Sequence, residues 1–292
     1  MKPQTKPLNA EVLYAEKFWG LDLPLHVLVG SRNARKVNRN MRCHFSPGEF
    51  PDGSFVQIDS GLVVSSPELC FLQMAGKLPF IGLVALGNEF CGKYRLGKEN
   101  VEGKGFRGDS PITSVDSLNS YAAKVAGLKG RKSALMALPF IADGSASPME
   151  TILAMLFALP YRLGGYGFPM PLFNYRIDVK VGAGKTSGKS KYYYCDLYWP
   201  DKKVAVEYDS DAYHTGSERI AQDAIKRNAL SSMGVTVVTM SRLQVIETSK
   251  LRESAEVLSR LLGKRLKCPA KEFKYRHAEL RDQLLPKLPT SN

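Results

Sequence analysis

The chain has 292 residues, 44% hydrophobic and 24% charged, which is the balance of a folded globular protein and excludes a disordered or low-complexity one. Its length fits about two domains with a sizeable core. Lysine and arginine number 41 against 28 aspartate and glutamate, a net +13; the partner this implies is a polyanion, because each neutralised phosphate releases condensed counterions.

The longest apolar run, Thr151–Pro160, is about half of the roughly 20 residues a bilayer span requires. The opening residues lack the apolar stretch of a secretory signal. No membrane partner is expected, and a cytoplasmic location is. Cys43, Cys70, Cys91, Cys195 and Cys268 form no C-x-x-C pair, which suits a reducing compartment and argues against a disulfide framework or a zinc knuckle.

Residues 1–112 predict an amino-terminal domain of mixed α+β character. HVLV at 26–29 and FVQIDSGLVV at 55–64 pattern as strands, and Ser65-Ser66-Pro67 opens a short helix over 68–76. Between the strands, Arg32, Arg35, Lys36, Arg39 and Arg42 carry positive charge with no acidic residue among them. With the interspersed asparagines they suit phosphate and base-edge contacts; a solvated loop is the plainer alternative. Residues 92–113, with five glycines and no hydrophobic period, predict a connector.

Residues 113–144 predict a helical connector and 145–263 a second domain. There Ser147-Pro148-Met149-Glu150 opens a strong helix. The period then shifts to two over Tyr175–Val181, Lys191–Tyr198 and Lys203–Asp209. A polar helix over Ser217–Met233 ends at Gly234, a favourable capping position. A strand over Val235–Met240 and a helix over Lys250–Leu262 complete the order α-β-β-β-α-β-α, an α/β arrangement. Residues 264–292 predict a basic tail.

Turn residues Trp199-Pro200-Asp201-Lys202 make the flanking strands a hairpin. Glu207 and Asp209 share a face at i, i+2, and a suitable register brings Asp196 beside them among Val204, Val206 and Tyr208. Carboxylates set among buried valines lose hydration and repel each other unless something pairs with them. Magnesium, with manganese as a substitute, takes such hard oxygen ligands. Asp196 and Glu207 are the expected ligands, and the ion would polarise a phosphodiester and activate water. His214 can serve as general base or acid. On the next helix Asp223 and Arg227, at i, i+4, suit orienting that water and holding a phosphate. Each piece also has a plainer use. Asp196 and Glu207 can face solvent on a hairpin, Asp209 can be a turn residue, and His214 a surface residue. Asp223–Arg227 can be a surface pair, and Glu150 completes a Ser147-x-x-Glu150 capping box.

The ordered set resembles the PD-(D/E)XK nuclease superfamily, in the branch related to very-short-patch-repair endonucleases: helix with Glu150, strand with Asp196, Glu207-Tyr208-Asp209, His214, and a helix with Asp223 and Arg227 before Gly-Val-Thr-Val-Val. The resemblance covers about residues 145–262. It implies a restriction-endonuclease-like mixed sheet flanked by helices and a magnesium-dependent endonuclease acting on nucleic acid, DNA in the first place. It makes Asp196 the central metal ligand, places Glu207 and Asp209 on the strand of the E-x-K, gives Glu150 the acidic place on the first core helix, and makes His214 the imidazole of this branch. The triplet reads Glu-Tyr-Asp, without the superfamily's lysine. Either His214 takes over its electrostatic role or cleavage is lost and binding retained.

More weakly, HVLVGSRNARKVNRNMRCHFSPGEF followed by GLVVSSPELCFLQMA is similar to the body of AbiEi-type antitoxins. That implies a phage-defence or toxin–antitoxin setting and a toxin or defence protein as partner. The second functional expectation is therefore a catalytically inactive nuclease-fold antitoxin or transcriptional regulator. Tyr192, Tyr193 and Tyr194 suit base stacking or sheet packing. Gly188-Lys189-Ser190 invites a phosphate-loop reading, but the frame begins with Ala183 and a strand rather than a helix follows.

Overall fold

The computed structural model describes residues 23–35, 39–46, 49–59, 62–97, 106–179, 191–209, 217–266 and 271–285. Within them the chain is an α/β protein of two compact units, one of residues 23–77 and 119–134, the other of 78–118 and 135–285. The division runs differently from the expected boundaries at 112, 144 and 263. Residues 78–112 pack with the carboxyl-terminal unit, and the helical connector is shared between the two.

In the first unit β1 (Leu25–Val29) and β2 (Met41–Phe45) pair in parallel, while β3 (Phe55–Asp59) and β4 (Leu62–Ser65) form a separate antiparallel pair. Ser66 caps α1 (Pro67–Ala75), its hydroxyl accepting the Leu69 N–H at 3.3 Å, and Pro67 occupies the first turn. The helix buries Leu69, Phe71, Leu72 and Ala75.

The second unit begins with α2 (Phe80–Phe90). The glycine-rich segment that predicts a connector instead holds a short antiparallel hairpin, β5 (Tyr94–Leu96) with β6 (Phe106–Gly108). Two aromatic residues outweigh the glycines. Tyr94 is buried, donates its hydroxyl to Thr151 Oγ1 at 3.1 Å, and meets Phe106 edge-on. After α3 (Val115–Lys124) and α4 (Arg131–Ala137), each divided between the two units, comes α5 (Pro148–Ala158), buried at every position from Glu150 onward. A helix apolar on all sides forms a core, and this one is the centre of the unit.

Four strands form its sheet: β7 (Leu172–Val179), β8 (Lys191–Trp199), β9 (Val204–Asp209) and β10 (Thr236–Ser241), in spatial order β10-β9-β8-β7. β9 and β10 are parallel and the other pairs antiparallel, so the sheet is mixed. Parallel neighbours need a crossover, and α6 (Ser217–Ser232) supplies it. α7 (Arg242–Ile246) starts with a Ser241–Gln244 capping box, and α8 (Thr248–Leu262) ends at the left-handed Gly263.

The expected basic tail contains a docked helix, α9 (Lys271–Leu284). Its inner stripe is Phe273, His277, Leu280 and Arg281, at helical spacing. Two of the four are polar, so composition conceals the pattern. His277 Nδ1 lies 2.7 Å from the Gly164 carbonyl oxygen and its ring packs on Tyr166 and Phe273. Arg281 donates to the carbonyls of Val245, at 2.9 Å, and Ile246. Gly164 has φ +85, and a Cβ there would collide with the Arg276 carbonyl. Gly164→Ala is therefore expected to destabilise by about 2 kcal/mol or more, from left-handed strain plus the collision. Thermal denaturation followed by circular dichroism checks it. An unchanged Tm would mean that α9 is not seated on this turn.

Candidate functional site

β8 and β9 are joined by a 3-10 turn over Pro200–Lys202, with Lys203 left-handed at φ 51. Their ladder runs Trp199↔Val204, Tyr198↔Ala205, Leu197↔Val206 and stops. One step further in that frame stand Asp196 and Glu207. On its other side β8 pairs with β7 through Phe173↔Leu197 and Tyr175↔Cys195, and the Asn174 between them has φ 45. Asp196 thus sits where both ladders are interrupted. Its Oδ2 accepts the Tyr208 N–H at 2.8 Å, satisfying a main-chain donor at the gap. The interruption also lets Cys195 and Tyr198, of opposite parity, share one core cluster with Ala205, Leu230 and Val235.

Glu150 approaches from the start of α5. The Ser147 hydroxyl accepts the Glu150 N–H at 3.2 Å and donates to Glu150 Oε1 at 2.9 Å. Oε2 accepts from the Ala146 N–H at 2.8 Å and from Asn174 Nδ2 at 2.7 Å. Only 7% of the residue is exposed. Burial first, and then the charge of Asp196, push its carboxyl up to about 7, against the three hydrogen bonds. Both oxygens are fully engaged, so Glu150 anchors the helix start and adds to the negative field rather than offering a free ligand.

Asp196 and Glu207 are held above the usual carboxylate range. Burial raises Asp196, opposed by the Tyr208 N–H and by Lys226. Burial and then the Asp196 charge push Glu207 up to about 7, opposed by Lys226. The Lys226 ammonium lies 2.6 Å from Glu207 Oε2. Glu207 Oε1 is buried and lacks a hydrogen bond of normal geometry among the described residues; the adjacent Cys195 thiol is at best a weak donor.

Lys226 was not among the sequence-predicted site residues. Its signal is an inverted helix face. On α6 the Ile225 side is 52% exposed, whereas the Lys226 side chain is only 25% exposed and lies four residues from the buried Leu230. A helix that turns an isoleucine outward and a lysine inward is answering a buried negative charge. Asn174 was missed as well. Its left-handed backbone is tolerated by asparagine, and its amide ties Glu150 to the gap beside Asp196.

The remaining candidates fall elsewhere. Asp209 ends β9, half-buried and paired in register with Ser241; the charge that perturbs Glu207 is that of Asp196 rather than Asp209. Asp223 and Arg227 are both exposed, and Arg227 Nε reaches the Asp223 main-chain carbonyl at 3.4 Å, not its carboxylate. The plainer alternative, a surface ion pair, gives way to a contact between the Arg227 side chain and the helix backbone. His214 and Lys36 lie outside the described residues. In the first unit Arg32 and Arg35 each lie over the Phe45 ring at 5.7 Å, and Arg39 and Arg42 are exposed. His26 and His44, on neighbouring strands, approach to 3.0 Å. Among the described residues no three histidine, cysteine, aspartate or glutamate side chains group closely enough to hold a metal ion, and no helix is long and apolar enough to cross a membrane.

No family model matches the chain, and no solved structure matches it. Two curated proteins of Mycobacterium tuberculosis do: the uncharacterized protein MT2308 of strain CDC 1551 / Oshkosh and the uncharacterized protein Rv2248 of strain ATCC 25618 / H37Rv. Each is 29% identical over 122 residues, covering 41% of this chain and 40% of the relative. The chain thus spans less than half the length of the curated relatives it matches.

Proposed function

We propose that the carboxyl-terminal unit is a metal-dependent nuclease of the PD-(D/E)XK type, hydrolysing phosphodiester bonds in nucleic acid. One observation carries the reading: at an interruption in the sheet burial holds the carboxyls of Asp196, Glu207 and Glu150 above their usual range, the Asp196 charge raises the two glutamates further, and an ammonium reaches in from the crossover helix. Lys226 supplies from α6 the positive charge that Glu-Tyr-Asp lacks on β9. The mixed sheet, with its order β10-β9-β8-β7, supports the restriction-endonuclease-like reading.

The donor set fits a divalent cation in one respect, since Glu207 Oε1 is a buried oxygen in want of a partner. Asp196 and Glu207 would hold magnesium or manganese, and the bound ion would supply Lewis-acid polarisation of the phosphodiester. The chain's own residues do the rest. Lys226 opposes protonation of Glu207 and presents positive charge where a phosphate oxygen develops negative charge. The Tyr208 N–H orients Asp196. Asn174 and Ser147 fix Glu150 so that its charge bears on Asp196. In the first unit, Arg32, Arg35, Arg39 and Arg42 supply a basic surface for a phosphate backbone.

A binding-only reading, antitoxin or regulator, draws on the absence of a three-ligand group among the described residues and on Lys226 already neutralising Glu207. Incubating the protein with plasmid and with single-stranded DNA and RNA, in magnesium or in EDTA, separates the two. The nuclease reading expects magnesium-stimulated cleavage that an Asp196→Ala, Glu207→Ala double variant loses by at least about a hundredfold. Salt-dependent binding without turnover, or cleavage unchanged in that variant, would reject it.

A further inference from the structure

The three consecutive tyrosines of β8 do not share one fate. Tyr193 turns inward and packs with Ile177 and Val237 against the cluster of Cys195, Ala205 and Leu230. Tyr192 and Tyr194 point the other way and are 48% and 46% exposed. Sheet packing explains the first ring and leaves the other two unexplained, since a tyrosine ring in water forgoes the favourable burial of a large apolar face.

These two rings are held in a defined arrangement. Tyr192 and Tyr194 meet edge to face, with centroids 5.6 Å apart. On the neighbouring strand Arg176 is paired in register with Tyr194, and Asp178 with Tyr192. The Arg176 guanidinium lies 4.1 Å from the Tyr192 ring centroid, and Asp178 Oδ1 grips it through Nη2 at 2.6 Å and Nε at 2.9 Å. That grip fixes the plane of the guanidinium. It also sets a carboxylate against the arginine's charge, so this patch offers flat π-surface more than phosphate attraction. Phosphate attraction belongs to the rest of a chain that carries +13. Tyr194 is two residues from Asp196, about 7 Å along an extended strand.

We propose that Tyr192, Tyr194 and Arg176 form a stacking surface for unpaired nucleobases, so that the substrate of the neighbouring carboxylates is single-stranded nucleic acid; the substrate assignment rests on the nuclease reading, the stacking does not. In a duplex each base is covered by its neighbours on both faces and has no free surface to offer. Rings on the outside of a sheet can take only bases that are out of the stack, as aromatic side chains and guanidinium planes do in single-strand recognition.

The test is binding in EDTA, where cleavage is silent. Labelled oligo-dT, oligo-rU and a blunt DNA duplex are titrated with the full chain by fluorescence anisotropy across a series of salt concentrations. Wild type is expected to prefer the single strands, and the tighter of the two names the sugar. Tyr192→Ala, Tyr194→Ala is expected to lose at least about thirtyfold in single-strand affinity, the low end for two stacking contacts. The slope of log affinity against log salt should stay unchanged, because no phosphate contact is removed. Tyr192→Phe, Tyr194→Phe keeps the rings and should bind as wild type does, which separates stacking from misfolding. Single-strand affinity unaltered by the alanine pair, or an equal loss on duplex, overturns the proposal. Loss of single-strand binding in a protein that never cleaves in magnesium would uphold the stacking surface and reject only the nuclease reading.

Discussion

On the nuclease reading, replacing Lys226 by methionine is expected to cut magnesium-dependent turnover by about a hundredfold to a thousandfold, the effect of removing one aimed positive charge from an active site. Methionine keeps an apolar stem of similar reach, so the packing beside Leu230 survives. Glu207 then loses the ammonium 2.6 Å from Oε2, the main influence opposing its protonation. Its carboxyl, already pushed up to about 7 by burial and by Asp196, rises further and carries a proton at neutral pH. A protonated Glu207 neither attracts a cation nor leaves a naked buried charge. The loss of stability therefore stays well below the 3–5 kcal/mol typical of breaking a buried ion pair. The pattern to look for in cleavage assays run from pH 6 to 9 is a large drop in rate, a small drop in Tm, and a rising limb displaced to higher pH. Lys226→Arg keeps the charge and should recover part of the rate. Full activity in Lys226→Met would show that the ion pair is structural only.

Without divalent cations, raising the pH from about 4.5 to about 7 is expected to lower the melting temperature, and magnesium or manganese to restore it. The sign follows from the carboxylates. Glu150 and Glu207 have folded-state values of about 7 against an ordinary 4.5. Groups raised in the folded state contribute stability in full below the unfolded value and lose it as pH climbs through the folded one. For Glu150, at 1.36 kcal/mol per pH unit, the rise corresponds to about 3 kcal/mol lost between about pH 4.5 and about pH 7. A cation that binds only the folded chain adds about 2.7 kcal/mol at a hundred times its Kd. His277 acts in the opposite sense. Burial lowers its pKa below 6.5, so its contribution is present above that value and fades as pH falls. Differential scanning fluorimetry at several pH values, with EDTA or manganese, reads both limbs. Glu207→Gln should leave only the share of Glu150 in the falling limb and abolish the manganese response. A manganese response that survives in Glu207→Gln would place the cation elsewhere.

Much of the arrangement is local and so can be read from the residues. Ser147-x-x-Glu150 announces its own helix start, and Trp199-Pro200-Asp201-Lys202 its own hairpin, because caps and turns are decided within four or five residues. The mixed character of the sheet follows from one hairpin and one helical crossover. What cannot be read this way depends on pairing across distance. Lys226 matters only because its helix face meets β9, and a lysine in a polar helix gives no hint of that until Ile225 is seen to point outward. The β5–β6 hairpin depends on Tyr94 finding Thr151. The stripe of α9 depends on His277 and Arg281 finding carbonyls at Gly164, Val245 and Ile246; a hydrophobic pattern cannot announce a face made half of polar groups.

On the nuclease reading Asp196 is doubly employed, which bears on how this chain can change over evolutionary time. One of its oxygens completes the sheet by taking the Tyr208 N–H, a task that asparagine performs equally well. A lineage that abandoned chemistry would remain confined to aspartate or asparagine at that position. Glu207 and Lys226, whose partnership serves no main-chain group, would be free to drift together toward apolar residues.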